Sequence, residues 1–232
     1  MSMIKLAWLP IALLAAACSI DSAGETKREQ QSIDLDGSGS ARVNLEMSAG
    51  ELKVSGGAAK LMEAEFTYNV DRLKPMVEHH SSATETNIRI SQSQGPGLSF
   101  NAMSRWDLRL NDGVSMDVVA KLGAGQAEMD LGNLNLRNLE VGIGAGQVHV
   151  DLRGTPKRGY GVRINGGVGE TVVFLPRSIG ISATAAGGLG SISVNGLEKR
   201  GDRWVNAGHE NDAVQITVDI KGGIGEIQVN AQ

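Results

Sequence analysis

The sequence predicts an all-β chain, a β-solenoid or closely related stack of β-strand repeats, and three observations carry that expectation. Glycine accounts for 31 of 232 residues, while Phe, Trp and Tyr together make up 3%. A short glycine-centred unit recurs along the chain, and around each copy apolar and polar residues alternate. Dispersed glycine with so few aromatics suits many short strands joined by tight bends around a thin aliphatic core.

The repeat units are Ser48-Ala-Gly-Glu-Leu-Lys-Val54, Gly123-Ala-Gly-Gln-Ala-Glu-Met129, Gly144-Ala-Gly-Gln-Val-His-Val150, Gly167-Val-Gly-Glu-Thr-Val-Val173, Gly188-Leu-Gly-Ser-Ile-Ser-Val194 and Gly223-Ile-Gly-Glu-Ile-Gln-Val229. Their second glycines stand at 50, 125, 146, 169, 190 and 225, so the core period is 21 to 23 residues. One such unit cannot bury its own apolar face, but units stacked at the usual strand spacing share one continuous core. The long last step, from 190 to 225, holds a charged, glycine-rich stretch at 196–211 that reads as an inserted surface loop.

Two and four residues after each marker glycine stand apolar or small side chains, such as Val148 and Val150, with polar ones between them. Five and seven residues before it the same alternation recurs, as in Val118 with Ala120 and Val162 with Ile164. Successive side chains on a strand point to opposite faces, so these sets form inward columns. Their separation is odd, so the bend must also exchange the inward parity, which glycine permits cheaply. Each unit is therefore expected to be strand, glycine bend, strand.

Residues 121–232 form the regular Gly-x-Gly repeat domain in this reading, and residues 41–120 a less regular N-terminal β-subdomain or cap. The latter holds one repeat unit and strand-like runs at Leu61–Tyr68, Thr86–Ser91 and Arg105–Leu110. A cap is expected because an open terminal strand is an aggregation hazard.

The chain opens like an exported protein. Lys5 supplies a positive start, and Leu6 to Ala17 is an apolar run too short for the roughly 20 residues of a spanning helix. Residues 1–17 thus read as a lipoprotein signal peptide, and Leu14-Ala-Ala-Ala-Cys18 resembles the motif at which a cysteine is lipidated. Cys18 is the only cysteine, which excludes an intrachain disulfide and leaves lipidation as its expected role. Stable anchoring takes more than one acyl chain, which a diacylglyceryl group supplies. Residues 18–40 read as the lipidated cysteine and a flexible tether. Ser19 after the cysteine favours outer-membrane sorting in a Gram-negative cell. Loss of 1–17 removes Lys5 alone among charged side chains, taking the formal charge from −4 to −5. No basic stripe with interleaved aromatics is present, so nucleic acid is not an expected partner.

From Ile164 to Val229, the runs Asn165-Gly-Gly-Val-Gly-Glu-Thr-Val-Val-Phe-Leu-Pro176, Gly187-Gly-Leu-Gly-Ser-Ile-Ser-Val194 and Gly222-Gly-Ile-Gly-Glu-Ile-Gln-Val229 resemble the C-terminal β-domain of LiaF-like cell-envelope stress proteins. Toast-rack and adhesin-type domains of bacterial envelopes share the style. The resemblance implies an envelope β-repeat without catalytic residues. LiaF-like proteins carry membrane helices and sense cell-wall damage; a lipid anchor is more similar to the toast-rack or adhesin-like branch.

Catalytic and cofactor chemistry is weakly signalled. Gly142-Ile-Gly-Ala-Gly146 precedes a β-patterned segment, whereas a dinucleotide loop opens a helix. Calcium-binding nonapeptides need aspartate where this chain has Thr171, Ile192 and Ile227. Glu170 and Glu226 then read as a solvated face. His79 and His80 are adjacent, so on a strand they point apart and make poor zinc geometry, and His149 falls at an outward position. No nucleophile elbow or carboxylate pair with a histidine stands out. No enzyme activity, cofactor or metal is expected.

Arg203, Trp204 and His209 are the candidate partner-binding residues, because arginine and aromatic side chains are common anchors. The competing expectation is that Trp204 folds back over small core residues at the end of the stack. The sequence therefore points to a non-enzymatic envelope lipoprotein, attached to the membrane through Cys18, that serves as an adhesin-like interaction or scaffold module for an unidentified envelope protein. The alternatives are a regulatory component of a cell-wall stress response and, further off, a carrier of lipid or another apolar ligand.

Overall fold

The computed structural model describes residues 24–92 and 101–232. The signal-peptide segment and Cys18 lie outside the described residues. Thirteen strands form one sheet: β1 (Lys27–Ile33), β2 (Ser40–Ser55), β3 (Met62–Tyr68), β4 (Met76–Ser81), β5 (Glu85–Ser91), β6 (Ser104–Leu110), β7 (Ser115–Asp130), β8 (Leu136–Asp151), β9 (Tyr160–Leu175), β10 (Gly180–Asn195), β11 (Glu198–Arg200), β12 (Arg203–Val205) and β13 (Gln215–Ala231). One 3-10 turn, Asp71–Leu73, precedes β4. No helix among the described residues is long and apolar enough to cross a membrane.

Six long strands pair in parallel in the order β2-β7-β8-β9-β13-β10 and build the stack. Each carries the marker glycine near its middle, and the registers set Gly50, Gly125, Gly146, Gly169, Gly225 and Gly190 side by side. All six have φ between 132° and 141°, a conformation side-chain-bearing residues avoid. A Cβ on Gly146 would stand 1.8 Å from the carbonyl oxygen of Gly125, and one on Gly169 1.8 Å from that of Gly146. Both the dihedral and the close approach of the neighbouring strand therefore demand glycine. The corner divides each long strand into a first and a second arm.

The inward columns follow the expected alternation. In the first arm Val43, Val118, Leu139, Val162, Val218 and Ala183 lie in register, and in the second arm Val54, Met129, Val150, Val173, Val229 and Val194. All are buried except Val194, which lies at the edge of the stack. At roughly 1.5–3 kcal/mol for each fully buried aliphatic side chain, these columns are the main source of cohesion. The stacking order corrects a simple sequential picture: Val229 of β13 sits between Val173 and Val194, because the last repeat inserts between β9 and β10. The physical gain is that Ile216, Val218, Ile220 and Val229 of β13 obtain neighbours on both sides, while the smaller Ala183 and Ala185 of β10 take the edge.

Position three before the marker glycine fills the inside of the corner. Met47, Leu122 and Ile143 occupy it on β2, β7 and β8 and are buried. On β9, β13 and β10 it is Gly166, Gly222 and Gly187 instead, and Ile227 and Ile192 lean into part of the space. A recess remains, about 440 Å³ counted out to its open mouth, lined by Ile143, Thr171, Ile192 and Ile227.

At its β2 end the stack is closed by a split repeat. β5 pairs in parallel with the first arm of β2, and β6 with the second arm. Just past the end of β5, the Gln92 side chain bridges them: its Oε1 accepts from the backbone N–H groups of Ser48 (3.0 Å) and Ala49 (3.3 Å), and its Nε2 donates to Ser104 Oγ (2.6 Å). β4 extends the first arm antiparallel, and β3 then β1 extend the second. This extension holds Phe66, Tyr68 and Trp106, and Phe66 packs edge-on to Trp106 at 5.8 Å between ring centroids.

Three expected boundaries take a different form. Within the segment read as a flexible tether, Lys27–Ile33 is a strand, held by antiparallel pairing to β3 and by Ile33 in the core. The stretch at 196–211, read as a surface loop, instead forms the hairpin of β11 and β12, whose Trp204 and Val205 pair with Ala183 and Ser182 of β10. The division expected at residue 120 falls inside β7, which is continuous from Ser115 to Asp130.

The corner yields a direct prediction. Gly146→Ala lowers stability by about 3 kcal/mol or more, since the strained φ and the clash with the Gly125 carbonyl add. Gly37→Ala, also at positive φ but with nothing within 4 Å, costs only about 1 kcal/mol. Urea unfolding midpoints of the two variants measure the difference.

Candidate interaction surface

The first arms present an outer face crossed by a charge network. Arg137 Nη2 donates to Asp117 Oδ2 and Glu85 Oε1, both at 2.7 Å; Arg42 Nη2 reaches Asp117 Oδ2 at 3.3 Å, and Asn138 Nδ2 donates to Asp117 Oδ1 at 3.1 Å. The network ties β5, β2, β7 and the N-terminal end of β8 together. Hydrogen bonds to Glu85 and then Asp117 raise the Arg137 guanidinium above its ordinary value. Its charges are satisfied internally, so it reads as a structural clamp.

The second arms carry a polar ladder on their outer face, Glu51, Gln126, Gln147, Glu170, Glu226 and Ser191 in register. Gln126 Nε2 donates to Gln147 Oε1 at 3.0 Å, and Gln147 Nε2 to Glu170 Oε2 at 3.3 Å. Glu170 and Glu226 thus belong to an exposed row of carboxylates and amides. His149, also outward, lies 3.9 Å from Glu170 Oε2. His79 and His80 sit on the exposed strand β4. Gly142–Gly146 lies inside β8 and runs through the corner without opening a helix.

The three candidate anchors lie on and beside the hairpin, each engaged within the chain. Trp204 is half-buried, packs against the core, and lies under the Lys199 ammonium at 5.2 Å from the ring centroid. Arg203 is exposed and donates from Nη1 to Ser182 Oγ at 3.1 Å. His209 Nδ1 stands 2.8 Å from Asp212 Oδ2. Sequence reasoning missed Asn206, which is buried and donates from Nδ2 to the carbonyls of Arg177 (2.7 Å) and Ile179 (2.8 Å), pinning the hairpin to the start of β10.

It also missed an apolar ridge at the corner. The residue between the two glycines of each unit is Ala49, Ala124 and Ala145 on the first three strands, then Val168, Ile224 and Leu189 in adjacent register. The last three are 53%, 53% and 70% exposed. The enlargement from alanine to leucine was visible in the repeat alignment, but only the strand order makes these residues neighbours.

Asp36, between β1 and β2, fastens the other end. Hydrogen bonds from the hydroxyls of Ser81, Thr86 and Ser38 hold its carboxyl well below the usual carboxylate range. A depressed folded-state value gives stability that is present above the ordinary pKa and lost as pH falls through the depressed one. Asp36→Asn is therefore expected to lower the melting temperature at neutral pH and to flatten its decline below about pH 4, checked by thermal melts in an acid series.

These features define a stacked β-repeat whose outer charged and amide side chains largely pair with one another. The model of the family described as the N-terminal domain of toast_rack, DUF2154, matches residues 22–174. The chain belongs to this toast-rack family. It is similar to a crystal structure from Clostridium sporogenes whose name provisionally assigns it to cell adhesion, at 31% identity and a TM-score of 0.87, covering 90% of this chain and 100% of that one. An adhesin so named by provisional assignment, from Bacteroides fragilis, aligns at 9% identity and a TM-score of 0.35, over 90% of this chain and 99% of that one. None of the curated proteins matches the chain.

Proposed function

We propose that the chain is a non-enzymatic, adhesin-like interaction module of the bacterial cell envelope, held at the surface by a lipid on Cys18. The observation that carries this reading is the near full-length likeness to the Clostridium sporogenes protein whose name assigns it to cell adhesion. The satisfied charge network and polar ladders support it, because a stiff stack that occupies its own polar groups is suited to presenting surface to a partner. The hairpin with Arg203, Trp204 and His209 is the contact proposed for a second, unidentified envelope protein.

Proximity labelling of the anchored protein in its own cells tests the reading. Envelope-surface proteins should dominate the labelled set, and C18S should redistribute the label away from the membrane. Recovery of cytoplasmic proteins alone would refute it. W204A separates the two roles of the hairpin: loss of partner capture with an unchanged melting temperature marks Trp204 as an anchor, whereas loss that tracks destabilisation marks it as packing. A regulatory role in a cell-wall stress response is favoured by the LiaF-like run from Ile164 to Val229. Induction by cell-wall antibiotics together with co-purification of a sensor kinase would support that role instead.

A further inference from the structure

β10 differs from every other long strand. β2, β7, β8, β9 and β13 each carry at least two charged side chains, whereas none occurs from Ser178 to Leu197, a span that contains all of β10. β10 is also the last strand of the stack. Among the described residues its only partner on the outer side is β12, which pairs with Ser182 and Ala183. The second arm, Gly190 to Asn195, pairs with β13 alone and leaves one row of backbone N–H and C=O groups open among the described residues. Ile192 there is 41% exposed, and Leu189 continues into the ridge with Ile224 and Val168. Natural edge strands are blunted by charge, proline or a cover; this one carries no charge or proline, and no described residue covers its second arm.

We infer that the open second arm of β10 and its apolar corner form an isologous interface with a second copy of this chain. The partner is chosen by charge. An uncharged apolar edge buried against a charged one leaves that charge desolvated and unpaired. The other terminal strands are all charged: Lys27, Arg28 and Glu29 on β1, Glu78 on β4, and Glu198, Lys199 and Arg200 on β11. The uncharged edge that fits β10 is therefore β10 itself. Parallel pairing of the two edges is disfavoured, because a two-fold along the strands turns the second sheet over, sets the inward face of one copy beside the outward face of the other, and brings the first arms together where β12 already pairs with Ser182 and Ala183. A two-fold axis near Ser193 gives the antiparallel alternative. It sets Ile192 of each copy across from Val194 of the other and closes both edges at once.

The geometry also orients the copies. In the second-arm layer the strands run β1-β3-β6-β2-β7-β8-β9-β13-β10, so β1 and the open edge stand about 40 Å apart at ordinary strand spacing. Pairing through β10 directs the two N-terminal ends away from each other, about 80 Å apart. Resting on the adhesin-like reading, this arrangement joins copies anchored on facing surfaces.

The test uses the full chain with S193C and a short bis-maleimide, with S81C on β4 and the unmodified chain as controls. S193C should yield a covalent dimer at least tenfold more abundantly than either control, and adding L189D should reduce it at least tenfold without changing the melting temperature. Mixing two differently tagged cell populations should give mixed-tag dimers. S193C dimers no more abundant than S81C dimers, or dimers insensitive to L189D, would overturn the self-contact. That failure leaves proximity labelling free to identify a different partner, so the two proposals fail separately. Dimers formed only within one tagged population would overturn the facing-surface arrangement.

Discussion

The fold depends on a close backbone approach at the glycine corner. At Gly125, Gly146, Gly169, Gly225 and Gly190 the carbonyl oxygen of the neighbouring strand's glycine occupies the place of a Cβ, within 1.7–1.9 Å of it. A second glycine row two residues earlier, Gly123, Gly144, Gly167, Gly223 and Gly188, repeats the crowding at 2.1–2.6 Å. Each strand can bend only where its neighbour bends, so the corners lock the register of the stack, and the register in turn aligns the aliphatic columns. Sheet pairing and core packing are thus one constraint seen from two sides.

The same constraint explains how the stack ends. Continuing it in parallel requires another Gly-x-Gly corner on one continuous long strand, and among the described residues no such strand lies beyond β2. β5 and β6 take the two arms separately, and the Gln92 amide ties the backbone N–H groups of Ser48 and Ala49 on β2 to Ser104 on β6. Beyond that point the strands are short and antiparallel, and larger side chains such as Trp106 and Phe66 fit between the layers. At the β10 end the hairpin closes the first arm only. The asymmetry between a capped, charged end and an uncharged, half-open one is the feature that gives the molecule a direction.

Much of the fold was legible in the sequence because the glycine spacing and the period-2 alternation are local signals. Val150, Val173 and the other inward residues could be assigned from parity, and His149 could be placed outward for the same reason. The interaction surface was less legible. Trp204 drew attention by its chemistry, yet it packs partly against the core, while Asn206 and Gln92 act through side-chain hydrogen bonds to residues 12 to 44 positions away. Lys27–Ile33 was read as tether because its seven residues include three charges and only one large aliphatic, a pattern that becomes a strand once β3 offers an edge.

The sequence by itself determined the all-β class, the place of each corner and the inward face of every repeat, since a glycine with no Cβ and an alternating strand leave little choice locally. Tertiary structure decided the order of the strands. The repeat at Gly223–Val229 passes over the end of the stack and enters between β9 and β10, and no local signal encodes which neighbour a parallel strand selects. That choice depends on the total apolar surface buried by the competing arrangements. It is also what brings Val168, Ile224 and Leu189 together and leaves the uncharged strand at the edge.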